Sequence, residues 1–328
     1  MRNYIIRRLL LVIPTVFLVT LIIFFMVRLI PGDIIDSMVV SASHSGGGTV
    51  DLAAIERLLG LDVPTHIQYG RWLGFLPSAD GNFSGVFQGD LGTSLWTQLP
   101  VTDEIASRLP VSIELGLLAV LIELIVSLPI GIYSAIRQDS AGDYLGRSLA
   151  TVLMALPSFW IGLIIILLGS LWLGMAPALK AISFTEDPIG NLGQFIVPAF
   201  VLGMASTGTI MRMTRSMMLE VLRQDYIRTA WAKGLKERVV IIRHALKNAL
   251  IPVITLVGVT IPPLIGGSVI IEIIFSLPGL GRLLVNALTS RDYTIVSGVV
   301  FCYAFLLLLV NLAVDLTYGF LDPRVKYK

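Results

Sequence analysis

Six long apolar stretches, separated by polar passages of very different length, set the pattern of this chain. They run from about Leu9 to Ile30, Val111 to Ile136, Ser148 to Leu173, Phe195 to Met213, Ala249 to Phe275 and Thr294 to Phe320. A helix crossing the hydrocarbon core of a bilayer needs roughly 20 mostly apolar residues at about 1.5 Å of rise each, and each stretch has that length. The bilayer core offers backbone amides no water, so spanning segments are helices or strands of a closed barrel. Runs this long and this continuously apolar lack the alternation of barrel strands. The pattern therefore predicts an all-α integral membrane protein with six transmembrane helices. Pro31-Gly32 closes the first stretch, and Arg28 near its end can reach the interface along its own stem. That stretch is long and lacks a small-residue cleavage site, so it reads as a span and not as a removed signal peptide.

Composition agrees with the pattern. The 328 residues are 55% hydrophobic and 14% charged, against about 25% charged in soluble domains, and the mean hydropathy is +0.85. The net charge of +2 hides an asymmetry along the chain. Arg2, Arg7 and Arg8 lie at the N-terminus, whereas residues 31–110 carry three basic residues against nine acidic ones. Residues 137–147 hold Arg137 and Arg147, residues 174–194 only Lys180, and residues 212–247 nine basic residues against three acidic. Lys and Arg mark the cytoplasmic loops. Both termini and the loops 137–147 and 212–247 are therefore expected in the cytoplasm, and 31–110 outside. This gives three parts: residues 1–30 as the cytoplasmic end and first span, 31–110 as an extracytoplasmic subdomain, and 111–328 as a five-helix core that includes a loop at 214–248.

The outer segment contains helix-like stretches at Leu52–Leu59 and His66–Leu73, with turn-rich pieces at Ser45–Thr49 and Ser78–Gly85. Trp72, Phe75, Phe83, Phe87 and Trp96 are expected to supply its core. In the basic passage, residues from Leu219 to Lys233 favour a helix, with Gly234 as a left-handed stop. Met218, Leu222, Tyr226 and Ala230 recur at helical spacing, and Thr229, Ala230, Ala232 and Gly234 are small enough for close approach by a partner. A second helix begins near Glu237 and leads into the fifth span. On charge alone two readings stand: the cations enforce topology and bind anionic lipid, or they rim a docking surface.

Several chemistries find no support. There is no G-x-x-x-x-G-K-[ST] loop for nucleotide phosphates, so any ATP must be bound by another chain. His44, His66 and His244 are far apart and fall on opposite sides of the membrane, so no metal site is expected. H-E-x-x-H and G-x-S-x-G are missing, and no catalytic residue is assigned. A lone cysteine, Cys302, excludes an intrachain disulfide and leaves the redox compartment unreadable. No nucleic-acid partner is expected.

The passage "TRSMMLEVLRQDYIRTAWAKGLKERVVIIRHALKNALIP" resembles the cytoplasmic loop of ABC importer permeases of the oligopeptide/dipeptide/nickel class. Their signature appears here as Arg228-Thr229-Ala230-Trp231-Ala232-Lys233-Gly234. The likeness extends along nearly the whole chain, through "RLIPGD" (Arg28–Asp33), "LGLDVPTHIQYGRWL" (Leu59–Leu73), "GDLGTSL" (Gly89–Leu95), "LPVSIEL" (Leu109–Leu115), "LPSFWIGL" (Leu156–Leu163), "FSLPGLGRLLVNALTSRDY" (Phe275–Tyr293) and "DPR" (Asp322–Arg324). Trp231 departs from it, where a polar residue is expected, as do the glycine-rich and "FLPSADGNFSGVFQ" stretches. The resemblance implies a coupling helix between spans four and five that docks on an ATPase subunit, using Asp225, Tyr226, Arg228, Thr229, Ala230, Ala232, Lys233 and Gly234. It implies a second permease subunit, identical or paralogous, two ATP-binding subunits, an extracytoplasmic solute-binding protein and surrounding lipid. ATP and magnesium would sit on the ATPase, and this chain would bind no cofactor. Pro278, Gly279 and Arg282 become candidates for contact with the binding protein, and peptide, nickel complex and oligosaccharide all remain open as cargo.

Within the spans, Glu123 lies mid-way along the second, where an ionisable group is costly unless it faces protein or water. A role in the pathway and a hydrogen-bonded packing role stand side by side. Pro157, Pro262 and Gly266 are candidate gating points, since proline removes a backbone donor and glycine loosens a helix. Asn311 and Asp315 share a face and are expected to bond a neighbouring helix. The rival class is a self-contained secondary transporter or channel. It would show inverted repeats and interrupted helices around a midplane site, of which these spans show little.

Overall fold

The computed structural model describes residues 2–29, 62–78, 81–174 and 180–321. Among these the chain is almost wholly helical: α1 (Arg2–Leu29), α2 (Thr65–Leu73), α3 (Val101–Ile136), α4 (Ala141–Ala155), α5 (Ser158–Leu173), α6 (Pro188–Leu222), α7 (Asp225–Ala232), α8 (Glu237–Ile274), α9 (Leu280–Thr289) and α10 (Tyr293–Leu321). Five of them are long and apolar enough to cross a membrane, and α4 with α5 gives a sixth if that bent pair is one span. The expected helix at Leu52–Leu59 and the turn at Ser45–Thr49 lie outside the described residues.

The helices outrun the apolar stretches because backbone hydrogen bonding continues past the lipid boundary. α3 begins at Val101, ahead of Val111, and α6 at Pro188, ahead of Phe195. Asp187 sets the latter start: its carboxylate accepts the Gly190 N–H at 3.0 Å, and Pro188 fills the first helical position. The third stretch differs in kind. It was expected as one helix from Ser148 to Leu173, yet α4 and α5 meet at 95°. The residue before a proline is pushed out of the α region, and Leu156 accordingly sits at φ −95°, ψ 126° ahead of Pro157.

The chain divides into two compact units. The first comprises residues 1–8, 111–281 and 307–328, and α6 is its central helix. α3 lies parallel to α6: a Cβ on Gly203 would fall 2.5 Å from the Ala119 carbonyl oxygen, and one on Gly131 2.7 Å from that of Met211. Such closeness is the membrane mode of packing, in which small residues let backbones approach because lipid is as apolar as a leucine side chain. α4 runs the other way, with Ala150 against Gly208 and Asp143 against Arg215. α5 continues along α6, with Gly162 beside Val201. Parallel neighbours α3 and α6 require the chain between them to cross back, and the α4–α5 pair makes that return. α8 is antiparallel to α6, joining Ala249 to Met218 near one end and Gly267 to Leu202 near the other. Leu115, Ala119, Phe195, Leu202, Leu264 and Ile271 form the enclosed centre.

Near its start α8 widens into a π-helical turn, Val240–Leu246. Val240, Ala245 and Ala249 all pack into the cluster around Met218, at spacings of five and four. An α-helix would place residues five apart on different faces, and the wider turn brings them to one. In α10, Asp315 pairs with Arg8 at 2.7 Å, meeting the expectation of a partner, whereas Asn311 is exposed.

The second unit comprises residues 9–110 and 282–306. Here α2 packs on α1: Tyr69 and Thr20 share a hydrogen bond of 2.9 Å, Phe24 meets Tyr69 edge-on, and Arg28 lies 3.5 Å above the Phe24 ring. The Asp292 carboxylate accepts from the Ser94 hydroxyl at 2.6 Å and the Leu95 N–H at 3.1 Å, and caps α10 through the Ile295 N–H. Of the aromatic core expected for this region, only Trp72 is half-buried among the described residues, packed on Phe24 and Tyr69. Phe75, Phe83, Phe87 and Trp96 are exposed, and Leu73, Val86 and Val101 are buried instead. Phe75 and Phe87 stack on each other at 5.2 Å on the surface.

Candidate functional site

The basic loop is built on a short helix clamped between two long ones. α7 begins at Asp225, not at Leu219, because α6 continues to Leu222 and the chain turns at Arg223 and Gln224. The expected stripe through Met218, Leu222, Tyr226 and Ala230 is therefore broken: Met218 belongs to α6, and Tyr226 is exposed. Ile227 and Ala230 form the inner face of α7, 0% and 6% exposed, against Met218, Val240 and Ala245. Gly234 ends the passage at φ +73°, with nothing within 4 Å of a would-be Cβ. A side chain there would meet no neighbour, only the backbone cost of the left-handed region, about 1 kcal/mol or more.

The outer face carries the chemistry. Tyr226, Trp231, Leu235, Val239 and Ile242 are all exposed, interleaved with Arg228, Lys233, Lys236 and Arg238. Asp225, Thr229, Ala232 and Gly234 are exposed beside them. The Arg228–Asp225 pair at 3.4 Å lies open to solvent, where such pairs contribute little. Trp231 and Leu235, exposed within a cationic rim, form an apolar strip with the composition of a protein-docking surface. Tyr226 is tied back to α8, its hydroxyl accepting from Asn248 Nδ2 at 2.9 Å. Of the residues assigned from sequence, then, all but Ala230 are exposed, and Ala230 holds the helix down.

Behind the loop lies a clasp that the sequence reading missed. Asp143, fully buried, receives two hydrogen bonds from Arg215, at 2.7 and 2.8 Å, and a third from the Asp139 N–H at 3.0 Å. It fastens the start of α4 to the part of α6 that leads into the basic loop. Its only sequence signal is an acid, beside Asp139, in a short loop flanked by Arg137 and Arg147.

A second missed group is Glu272. It is fully buried, its Oε1 accepting from Ser112 Oγ at 2.7 Å and its Oε2 from the Gly281 N–H at 2.7 Å. Ser112 Oγ in turn accepts the Leu280 N–H at 2.8 Å, so the two side chains cap α9, where negative charge is favoured. Gly279 abuts the carboxylate and is enclosed, while Pro278 and Arg282 are half-buried. The candidate gating residues do not converge. Glu123 is fully buried, Pro157 sits exposed at the α4–α5 break, Pro262 is half-buried, and Gly266 lies on an open face of α8.

Comparison with known proteins places these features. The family model described as "Binding-protein-dependent transport system inner membrane component" matches residues 127–327, and its N-terminal counterpart matches residues 1–116. A putative peptide transport system permease protein of Brucella abortus is 41% identical over 327 residues, covering 100% of both chains. The dipeptide transport system permease protein of Escherichia coli is 39% identical over 351 residues, again across 100% of both. A glutathione transport system permease protein of Salmonella paratyphi A is 35% identical over 328 residues and 100% of each chain. In fold, the chain resembles one in a crystal structure of an amino acid ABC transporter with histidines, with a TM-score of 0.51 at 17% identity, over 66% of this chain and 94% of that one. The self-contained transporter or channel gains nothing from these likenesses. The chain belongs to the family of binding-protein-dependent transport system inner membrane components and is a multi-pass permease subunit of an ABC importer.

Proposed function

We propose that this permease forms the pathway for peptides or similar small solutes, handed over by an extracytoplasmic solute-binding protein and driven by ATP hydrolysis in separate subunits. Relatives named for peptide, dipeptide and glutathione transport, alike from end to end, support that cargo class. Two permease subunits, identical or paralogous, enclose the pathway, and two ATP-binding subunits lie beneath them and hold the ATP and magnesium. The α4–α5 pair serves as the third of six spans, and both termini face the cytoplasm. Residues 31–110 and the turn around Pro278 and Arg282 contribute to the outer docking surface.

The observation that carries the proposal is the exposed strip of Trp231 and Leu235 at the end of α7. α7 acts as the coupling helix: the strip seats in the ATPase, and Ile227 and Ala230 transmit its displacement to α6 and α8. The Asp143–Arg215 clasp then carries α4 with them. The driving energy is the greater affinity of ATP for the closed ATPase pair.

Trp231→Glu and Leu235→Glu test this directly. Each places a charge in the strip without touching the buried face, so insertion should be normal while ATPase capture weakens by about 2 kcal/mol, some 30-fold. Lys247→Gln, nearer the membrane, should change little. Wild-type capture and solute-stimulated hydrolysis in both glutamate variants would remove α7 from the interface. Ala230→Glu is a poorer probe, because it would disrupt packing inside this chain.

A further inference from the structure

Glu123 sits in the middle of α3 with no exposed surface, and neither carboxyl oxygen has a hydrogen-bond partner among the described residues. The same holds for Ser127 Oγ and Ser134 Oγ, both on enclosed side chains. Spacings of four and seven residues align the three on one helix face. That face is the one applied to α6, because Ala119 and Gly131 on either side of Glu123 abut Gly203 and Met211. The register therefore sets Glu123 and Ser127 at the level of Thr207. Thr207 and Thr214 donate their hydroxyl protons to their own helix, to Gly203 O and Ile210 O, and so offer acceptors only.

Among the described residues no cation faces this carboxyl. On α3 the nearest ionisable groups are Glu114 and Tyr133, and on α6 Arg212 and Arg215, the latter engaged by Asp143. α4 and α5 carry none beyond Arg147. α8 carries none between Lys247 and Glu272, which is occupied by Ser112 and Gly281. A second subunit cannot reach a side chain that its own chain encloses completely. An ionised carboxylate in such a place costs several kcal/mol (order of magnitude), and a proton removes that cost.

We propose that Glu123 is a proton-binding site, occupied while the seam between α3 and α6 is closed and vacated when the seam opens to water. On opening, the carboxylic acid transfers its proton to water, leaving a hydrated carboxylate and a hydronium ion; closing reverses the transfer. Ser127 and Ser134 mark the exchange route, since Ser134 Oγ lies beside Gly146 of α4 at the end of the seam near the α3–α4 turn. The open state binds one proton fewer, so rising pH favours opening and falling pH favours closure. The inference rests on permease function alone and holds whichever solute is carried.

Infrared spectroscopy of the full transporter in lipid nanodiscs tests it without a transport assay. The resting complex should show the carbonyl stretch of a protonated carboxylic acid that shifts in deuterium oxide and vanishes in Glu123→Gln. Trapping the complex with a non-hydrolysable ATP analogue should convert that band to carboxylate. Should Glu123→Gln fail to assemble, Glu123→Asp serves in its place, because a shorter carboxylic acid in the same enclosure should move the band. A resting complex without an acid carbonyl that responds to either substitution overturns the site, and a band that persists unchanged in the trapped complex overturns the exchange.

Discussion

Glu272 and Glu123 are both fully enclosed in the same unit, each on a helix that packs against α6. Glu272 stands near the end of α8 and accepts hydrogen bonds from Ser112 and from the first turn of α9. Glu123 stands mid-helix and accepts none among the described residues. One carboxyl is thus satisfied and part of what holds the fold, whereas the other is a burden on the closed state that the fold tolerates. Burial alone does not say what an acidic side chain contributes; its donors do.

Three substitutions sharpen that contrast, all read as heat-stability of the purified protein. The largest loss is expected at Asp143→Ala, which empties a buried site and leaves the half-buried Arg215 without its counter-charge, at about 3–5 kcal/mol. A smaller loss attends Glu272→Ala, which leaves Ser112 and the Gly281 N–H without their acceptor, at about 2–3 kcal/mol. Glu123→Leu should lie within about 1 kcal/mol of wild type or above it, because an apolar side chain replaces an unsatisfied one. A loss at Glu123→Leu as deep as that at Glu272→Ala would erase the distinction between the two glutamates.

How much of this could be read along the chain depended on range. The spans were legible because hydropathy is a local property, and α2 appeared as Thr65–Leu73 where His66–Leu73 was expected. The left-handed Gly234 was legible too, since the backbone requirement lies within a few residues. The break at Leu156 had a local cause in Pro157, yet the apolar run on both sides masked it. What could not be read were pairings across distance: Asp143 with Arg215, Ser112 with Glu272, and Ser94 with Asp292. The last joins two stretches, "GDLGTSL" and "TSRDY", whose resemblance to relatives was visible without its reason. The inward turn of Ala230 was hidden for the same cause. A small residue fits a docking groove and a tight internal contact equally well, and only the position of Met218 and Val240 tells them apart.

The π-helical turn at Val240–Leu246 has a consequence for how this chain tolerates a change of length. A π-helical turn is geometrically an α-helix that has absorbed one extra residue. Loss of one residue from within it would let the turn relax to an ordinary helix while both flanks keep their facing. Loss of one residue further along α8 would instead rotate everything after it by about 100°, taking Leu264 and Ile271 out of the core. The stretch is thus the one place in α8 with slack, and it lies where the loop meets the span.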